Sequence, residues 1–220
     1  MKFTKDEIRK SMLLYAVTDQ MWLKEGETLA DVVEAVLQNG ATFLQIREKD
    51  LAPDDFEAEA ERLKTLCAQH GVPFVVNDSV EIALHCNADG VHVGQSDIKG
   101  RDIRSIIGPD KILGISAGTV EEAVAAENAG ADYIGVGAIF GTSTKKNARS
   151  MTMEQLKEIV GAVSIPVVAI GGISAENISQ LCGSGVDGVA VVSAIFAAED
   201  PGKATANLLK LAAEMVNANG

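Results

Sequence analysis

Apolar residues along the chain follow two alternating patterns. Short, nearly continuous apolar runs predict buried parallel strands, and longer stretches with helical periodicity predict amphipathic helices. The predicted strands are Leu13–Thr18, Thr42–Arg47, Pro73–Asn77, Gly90–Val93, Lys111–Ser116, Tyr133–Ile139, Pro166–Ile170 and Gly188–Val192. The predicted helices lie near Leu29–Asn39, Pro53–His70, Val80–His85, Gly100–Ile107, Val120–Ala129, Met153–Val160, Ala175–Cys182 and Pro201–Asn217.

The order of these segments predicts a closed barrel. Each predicted strand is followed by a helix, which is the crossover that parallel pairing requires. A unit in which glycine ends a helix before the next strand recurs at residues 39–41, 87–90, 129–132 and 184–188. We therefore predict an α/β fold, a single (β/α)8 TIM barrel that forms one domain over residues 1–220. A short N-terminal helix, Lys5–Leu13, precedes it with Thr4 as its N-cap.

Charge and composition narrow the classes of partner. The chain has 220 residues, with 31 acidic against 19 basic residues and a formal net charge of −12. This excess argues against nucleic acid or anionic membranes as partners. If the ligands are small anionic molecules, the few basic residues must be gathered in one place. Three widely spaced cysteines without a CxxC motif predict reduced thiols in a cytoplasmic protein. No signal peptide or membrane span is expected, and the question of homo-oligomerisation is left open.

Polar residues stand at the end of the second predicted strand. Because strand side chains alternate between faces, Gln45, Arg47 and Lys49 share one face, and Leu44 and Ile46 share the other. In barrels of this class the active site lies at the carboxyl ends of the strands. Two cations held there predict an anionic ligand, and a salt bridge to a neighbouring strand is the structural alternative.

Two carboxylates follow the third and fourth predicted strands. Asp78 and Asp97 would lie close together, since these strands are neighbours in the barrel. Magnesium is bound in proteins through one or two carboxylates, with water and substrate phosphate completing its shell. The pair therefore predicts an Mg²⁺ site, and helix capping by the same aspartates is the alternative.

Two further loops have the composition of phosphate sites. The segment 141–149 carries three basic residues and three hydroxyls without an acid, and it includes Thr142, Thr144 and Lys145. An exposed polar loop is the alternative. The last strands end in Gly171-Gly172 and Val192-Ser193, where loops of such barrels commonly bind phosphate through backbone N–H groups.

Catalytic motifs of other enzyme classes are absent from the sequence. There is no nucleophile elbow, no Walker loop and no GxGxxG that opens a helix. His92 falls within a strand, and His70 and His85 fall on helices, so a packed or surface position is expected for each. Ser116 ends the fifth strand, either as a ligand contact or as part of its own turn.

Together these segments resemble the thiamin phosphate synthase family. The resemblance runs from Leu14 to Ile195, and its most specific parts are QIREK at 45–49, Asn77-Asp78, ADGVHVGQSD at 88–97, TSTKK at 142–146 and AIGGI at 169–173. It implies a transferase that couples 4-amino-5-hydroxymethyl-2-methylpyrimidine diphosphate to thiazole phosphate. The products would be thiamin phosphate and pyrophosphate.

The resemblance also implies a role for each candidate residue. The pyrimidine diphosphate is expected to contact Gln45, Arg47, Lys49, Asn77, Ser116 and Lys145. The thiazole phosphate is expected to contact Thr142, Thr144, Gly172, Val192 and Ser193. Asp78 and Asp97 would hold Mg²⁺. Arg47, Lys49 and Lys145 would act with the metal as preorganised charge that stabilises the departing pyrophosphate.

Three other functions compete with this interpretation. The first is a thiazole tautomerase-like isomerase, which needs a proton shuttle. Ser116 has no histidine at its strand end, and this argues against an isomerase, as does the complete Asp78/Asp97 pair. The second is a sugar-phosphate epimerase or lyase, which is disfavoured because no histidine is predicted at a strand end. The third is a phosphate-ligand-binding paralogue without turnover, which only an assay can exclude.

Overall fold

A computed structural model describes residues 3–48, 51–141 and 151–219. Eight parallel strands close into a barrel in which each strand pairs with the next along the chain and β1 pairs with β8. The strands are β1 Leu14–Val17, β2 Phe43–Ile46, β3 Phe74–Asn77, β4 Gly90–Val93, β5 Ile112–Ala117, β6 Tyr133–Val136, β7 Val167–Ile170 and β8 Gly188–Val191. The predicted TIM barrel is thereby confirmed.

Helices surround the barrel and close one of its ends. They are α1 Lys5–Ser11, α2 Leu29–Gln38, α3 Pro53–His70, α4 Val80–His85, α5 Ile103–Ile107, α6 Val120–Asn128, α7 Met153–Ala162, α8 Ser193–Phe196 and α9 Pro201–Asn217. Two short 3-10 helices lie at Gln20–Trp22 and Ile178–Leu181. Within the described ranges, none of these helices has the length and apolar character needed to cross a membrane.

Two predicted helices differ from the observed ones for local reasons. The helix predicted at Ala175–Cys182 is only the 3-10 turn, because the Asn177 side chain bonds to the backbone of Ser174 and Gly172 and competes with helical pairing. The helix predicted from Gly100 begins at Ile103, because Asp102 caps it by accepting from the Ser105 N–H.

The strands bury both of their faces, as the continuous apolar runs predicted. One set of side chains packs outward under the helices, and Leu44 and Ile46 belong to it. The other set fills the barrel with Tyr15, Phe43 and Tyr133 among its members. Helix α1 closes the amino-terminal end of the barrel, where Ile8 and Met12 are fully buried. The predicted Thr4 cap is present as a capping box with Glu7.

The recurring units before the even-numbered strands have a common structural task. Asp89 precedes β4 and accepts from the Phe74 N–H at the start of β3 at 3.0 Å. Asp132 and Asp187 precede β6 and β8 and bind β5 and β7 in the same way, each at 2.8 Å. The Thr42 hydroxyl, which precedes β2, accepts from the Leu14 N–H at the start of β1. Each side chain satisfies a backbone N–H at the amino-terminal edge of the barrel, so strand pairs are joined where the sheet begins.

Candidate active site

The carboxyl end of the barrel is lined by polar side chains that point inward. Gln45 is buried inside the barrel, where Phe43 lies one layer below it on the same face of β2. Its amide nitrogen donates to the Asn77 side-chain oxygen at 3.0 Å. The Tyr15 hydroxyl donates to its amide oxygen at 2.6 Å. Gln45 and Asn77, which the sequence predicted as ligand contacts, are therefore held in fixed orientations at the mouth.

Asp78 and Asp97 come together across the ends of β3 and β4. Asp78 remains accessible to solvent, yet the surrounding protein partly desolvates its carboxylate, and this burial raises its pKa. The Asp97 carboxylate raises the pKa of Asp78 further through its charge and a direct hydrogen bond. The Asn77 amide and the Arg47 charge lower the same pKa in part. Two acidic groups are thus held closer than their charges favour.

The alternative that these aspartates cap helices is wrong. Ser79 caps α4, and Asp102 caps α5. Asp97 instead accepts from the Gly94 N–H at 2.9 Å, a bond that folds the loop after β4 back towards the barrel. Both carboxylates are therefore available for another task.

The donor set fits a hard divalent cation. A cation between the two carboxylates would relieve the repulsion that raises the pKa of Asp78. The described residues contain no group of three or more histidine, cysteine, aspartate or glutamate side chains that could form a protein-only cage. Magnesium does not need one, because it commonly binds through one or two carboxylates and keeps water and phosphate ligands.

His92 is packed inside the barrel, as expected, but it also contacts a candidate site residue. Its side chain points into the barrel from β4, and Nε2 lies 2.9 Å from the Ser116 hydroxyl. Its Nδ1 lies 3.0 Å from the Tyr133 hydroxyl. His92 lies within β4, as predicted, yet it reaches Ser116 because it pairs with Gly114 in the sheet and its long side chain extends one layer higher. The argument against a proton shuttle considered only the strand ends, and it therefore fails.

Arg47 and Glu48 follow β2 at the rim of the mouth. The Arg47 N–H donates to the Thr18 hydroxyl at 2.9 Å, which ties the ends of β1 and β2 together. The charge of Arg47 lowers the pKa of Asp78, so its cationic group faces the carboxylate pair. Partial burial raises the pKa of Glu48 to about 7, and the negative charges of Asp19 and Glu59 add to the rise.

The loops after β7 and β8 have the geometry of an anion site. Gly172 is exposed with a positive φ of 66°, and an added Cβ would clash with the Gly141 carbonyl. Val192 and Ser193 begin the short helix α8, Val192 as its N-cap. Helix α8 begins directly after β8, so its first backbone N–H groups lie at this rim. Their role as phosphate contacts stays a prediction.

Four predicted residues lie outside the described ranges. They are Lys49 after β2 and three residues of the basic segment 141–149, namely Thr142, Thr144 and Lys145. Their expected contacts with substrate rest on the sequence.

Sequence reasoning missed the polar side chains inside the barrel. The sequence named neither Tyr15 nor Tyr133 as a site residue. Both are fully or almost fully buried, and their hydroxyls bond to each other at 2.8 Å. The available signal was a polar side chain that faces the barrel interior on one strand, close to a second inward-facing polar side chain on the neighbouring strand. Tyr15 of β1 and Gln45 of β2 form one such pair, and His92 of β4 and Ser116 of β5 form another.

Comparison with known sequences gives a consistent match. Residues 14–195 match the protein family described as thiamine monophosphate synthase. A thiamine-phosphate synthase of Ruminiclostridium cellulolyticum is 50% identical over 198 residues, which cover 90% of this chain and 94% of that protein. A thiamine-phosphate synthase of Methanobrevibacter smithii is 47% identical over 197 residues, covering 90% and 93% respectively.

A solved structure supports the same match. The thiamine phosphate pyrophosphorylase of Pyrococcus furiosus superimposes with a TM-score of 0.86 and 38% sequence identity, covering 94% of this chain and 98% of that one. The similarity therefore extends over the whole barrel.

Proposed function

The chain belongs to the thiamine monophosphate synthase family, and we propose that its barrel mouth joins an aminopyrimidine diphosphate to a thiazole phosphate with Mg²⁺ bound by Asp78 and Asp97. The chain is an enzyme, a transferase that acts on small molecules. The observation that carries the assignment of the site is the meeting of the Asp78 and Asp97 carboxylates next to the oriented amides of Gln45 and Asn77.

The reaction forms one bond and breaks another at the pyrimidine methylene. The thiazole nitrogen supplies the electron pair of the new C–N bond, and the C–O bond breaks as pyrophosphate leaves with its electron pair. The nucleophile already has its lone pair, so no general base is needed to generate it. The catalytic requirement is stabilisation of the negative charge that develops on the leaving group.

The described residues divide this work between binding and charge. Gln45 and Asn77 present amide groups to the pyrimidine diphosphate, and Ser116 presents its hydroxyl from β5. Arg47 places positive charge near the carboxylate pair, and in this proposal it faces the departing pyrophosphate together with Lys49 and Lys145. A bound Mg²⁺ would supply Lewis-acid charge neutralisation to the diphosphate oxygens.

The thiazole phosphate is assigned to the other side of the mouth. Gly172, Val192 and Ser193 lie at the ends of β7 and β8, where backbone N–H groups and the start of α8 suit a phosphate dianion. Thr142 and Thr144 would add hydroxyl donors. Because the two phosphate sites belong to different loops, the reacting nitrogen and methylene would meet between them, above the inward-facing residues.

The proposal includes the setting of the enzyme. The chain would act as a single catalytic domain over residues 1–220, in the cytoplasm, where cysteines stay reduced. Cys67, Cys86 and Cys182 are not joined in disulfides.

Turnover of both substrates tests the function. Purified protein is mixed with the pyrimidine diphosphate, the thiazole phosphate and Mg²⁺, and thiamine phosphate and pyrophosphate are followed together. Equal amounts of both products, abolished by EDTA and restored by added Mg²⁺, are expected. Absence of both products under saturating substrates would refute the transferase and leave a binding protein without turnover.

The contact between His92 and Ser116 favours one second candidate. A hydroxyl bonded to an imidazole can move a proton, which is the chemistry of a thiazole tautomerase-like isomerase. The same assay separates the two functions. An isomerase would change the thiazole phosphate when the pyrimidine substrate is omitted, and a synthase would leave it unchanged.

A further inference from the structure

Six polar side chains form a continuous hydrogen-bonded chain across the inside of the barrel. Asn77 bonds to Gln45, and Gln45 bonds to Tyr15. Tyr15 bonds to Tyr133 at 2.8 Å, and Tyr133 bonds to His92 at 3.0 Å. His92 bonds to Ser116 at 2.9 Å, so Asn77 at the end of β3 and Ser116 of β5, which lie two strands apart around the mouth, are connected through five contacts.

The direction of donation is set at the Gln45 amide. Its nitrogen carries protons and can only donate, and it donates to the Asn77 side-chain oxygen at 3.0 Å. Its oxygen carries none and can only accept, and it accepts from the Tyr15 hydroxyl at 2.6 Å.

Proton counting continues the same direction through the tyrosines. Burial raises the pKa of both phenols well above the ordinary value, so each keeps its single proton. Tyr15 gives its proton to Gln45 and must accept from Tyr133. Tyr133 then has no further proton and must accept from His92. A neutral His92 is thereby held with its proton on Nδ1, and its bare Nε2 accepts from the Ser116 hydroxyl.

The barrel wall is shaped around this chain. Gly114 pairs with His92 on one side and with Tyr133 on the other, and a Cβ at Gly114 would overlap both the Tyr133 hydroxyl and His92 Nδ1. A Cβ at Gly135 would crowd the His92 ring at 3.2 Å. The rings of Tyr15, Phe43 and Tyr133 pack on one another in tilted and edge-on geometry. Space and packing together keep the hydroxyls in line.

We infer that Tyr15, Tyr133 and His92 are positioning residues, which transmit the donor–acceptor direction set at the Gln45 amide across the barrel and so fix the orientation of the Ser116 hydroxyl. The two sides of the pyrimidine diphosphate site are thereby coupled through protein that the substrate does not touch. The part of the inference that concerns substrate rests on the proposed function, and the part that concerns the hydrogen-bonded chain does not.

The protonated nitrogen of His92 tests the chain without any substrate. The variant H70Q/H85Q removes the two exposed histidines and leaves His92 as the only imidazole. Nitrogen-15 NMR of this protein should show neutral His92 with the proton on Nδ1. Tyr133→Phe, made in the same background, removes the acceptor, and the proton should move to Nε2. A proton on Nε2 or on both nitrogens before substitution, or no change in Tyr133→Phe, would overturn the inference.

Kinetics tests the consequence for the site. Tyr133→Phe and Gly114→Ala both interrupt the chain at the same contact, and each should raise KM for the pyrimidine diphosphate about five- to tenfold. KM for the thiazole phosphate should stay unchanged, because its predicted contacts lie on other loops. Phe43→Leu is the packing control: it loosens the same aromatic cluster but leaves every hydrogen bond of the chain in place.

The control separates positioning from structure. If Phe43→Leu raises the KM for the pyrimidine diphosphate as much as Tyr133→Phe does, the residues serve packing alone and the inference fails. If the unsubstituted protein has no turnover, the proposed function fails, while the protonation of His92 still decides whether the chain exists.

Discussion

The two ends of the barrel differ in the side chains that line them: one end is mainly apolar, and the other carries partly buried acidic groups. At the amino-terminal end, Ile8 and Met12 of the α1 region fill the opening with fully buried apolar side chains. The Asp and Thr side chains that begin the even strands satisfy backbone N–H groups there. At the carboxyl-terminal end, Asp78 and Asp97 face each other, and partial burial holds the pKa of Glu48 near 7.

This difference separates stability from function. At the closed end, the buried apolar side chains and the paired backbone N–H groups both stabilise the folded state, since apolar surface leaves water and polar backbone is hydrogen-bonded. The open end retains carboxylates that repel each other and a glutamate that is easier to ionise in the unfolded chain. Such groups cost stability, and a protein retains them where a ligand supplies the missing charge. Substitutions at the two ends should therefore have different effects.

The largest effect is expected at the carboxylate pair. Asp97→Asn removes one predicted Mg²⁺ ligand and should lower kcat/KM by about 10³-fold, the upper range for removing a charge-stabilising element. The same change removes part of the repulsion on Asp78, so the metal-free variant should be at least as stable as the parent. Steady-state rates over a range of Mg²⁺ concentrations and thermal melts measure both.

A matched control for Asp97→Asn is available on the outside of the barrel. Asp54→Asn changes an exposed aspartate in the first turn of α3 and should leave the rate unaltered. Full activity of the Asp97→Asn variant would show that Asp97 is not a metal ligand.

The basic segment should give the next largest effect. Lys145→Ala removes a charge assigned to the departing pyrophosphate and should lower kcat about 10²-fold, while the protein stays folded. Lys157→Ala, which changes an exposed lysine of α7, is the comparison. An unchanged kcat in Lys145→Ala would show that this lysine does not stabilise the leaving group.

The closed end should show the reverse behaviour. Met12→Ala leaves a cavity beneath the barrel and should lower the free energy of unfolding by about 2–3 kcal/mol. Activity per folded molecule should persist, since Met12 lies at the far end of the barrel. Denaturant unfolding with rate measurements checks this, and Met21→Ala, at a side chain that is 72% exposed, should change neither quantity. A large fall in kcat for Met12→Ala would break the separation of the two ends.

The smallest effect concerns the pH dependence of stability. The folded pKa of Glu48 is about 7 against 4.5 for the ordinary group, so its favourable contribution is complete below pH 4.5 and is lost as the pH rises through 7. Glu48→Gln should therefore be more stable than the parent at pH 8 by about 1–2 kcal/mol, after allowance for solvent screening.

The pH profile contains its own control. At pH 4 the Glu48→Gln variant and the parent should unfold at the same denaturant concentration, because the glutamate is then protonated in both states. A difference of equal size at pH 4 and pH 8 would show that packing, and not ionisation, separates the two proteins.

Sequence patterns were sufficient for the fold because the barrel repeats one local rule. Apolar runs, helix periods and glycine stops each depend on near neighbours along the chain, and all predicted the same alternation. The helix predicted at Ala175–Cys182 failed because Asn177 bonds to the backbone, a competition that periodicity does not include. The clustering of Asp78 and Asp97 was also foreseeable, since parallel neighbours end at the same edge.

The contacts of His92 could not be predicted from such local patterns. His92 was placed correctly on its strand, but strand position alone does not say which side chain of the next strand it reaches. That depends on the register between β4 and β5, on the empty space at Gly114 and on the tilt of the barrel strands. His92 and Ser116 are 24 residues apart in sequence, and only the three-dimensional structure shows that they are in contact.

The sequence by itself therefore determined the barrel, its N-terminal helix and the family of the chain, because these follow from local periodicity and from short segments in a fixed order. The tertiary structure alone decided which inward-facing polar groups touch. Tyr15 and Tyr133 are 118 residues apart and share a hydrogen bond because closure of the barrel brings β1 and β6 within reach across its interior. Local patterns carry no information on such distances, since they depend on the curvature and stagger of the complete sheet.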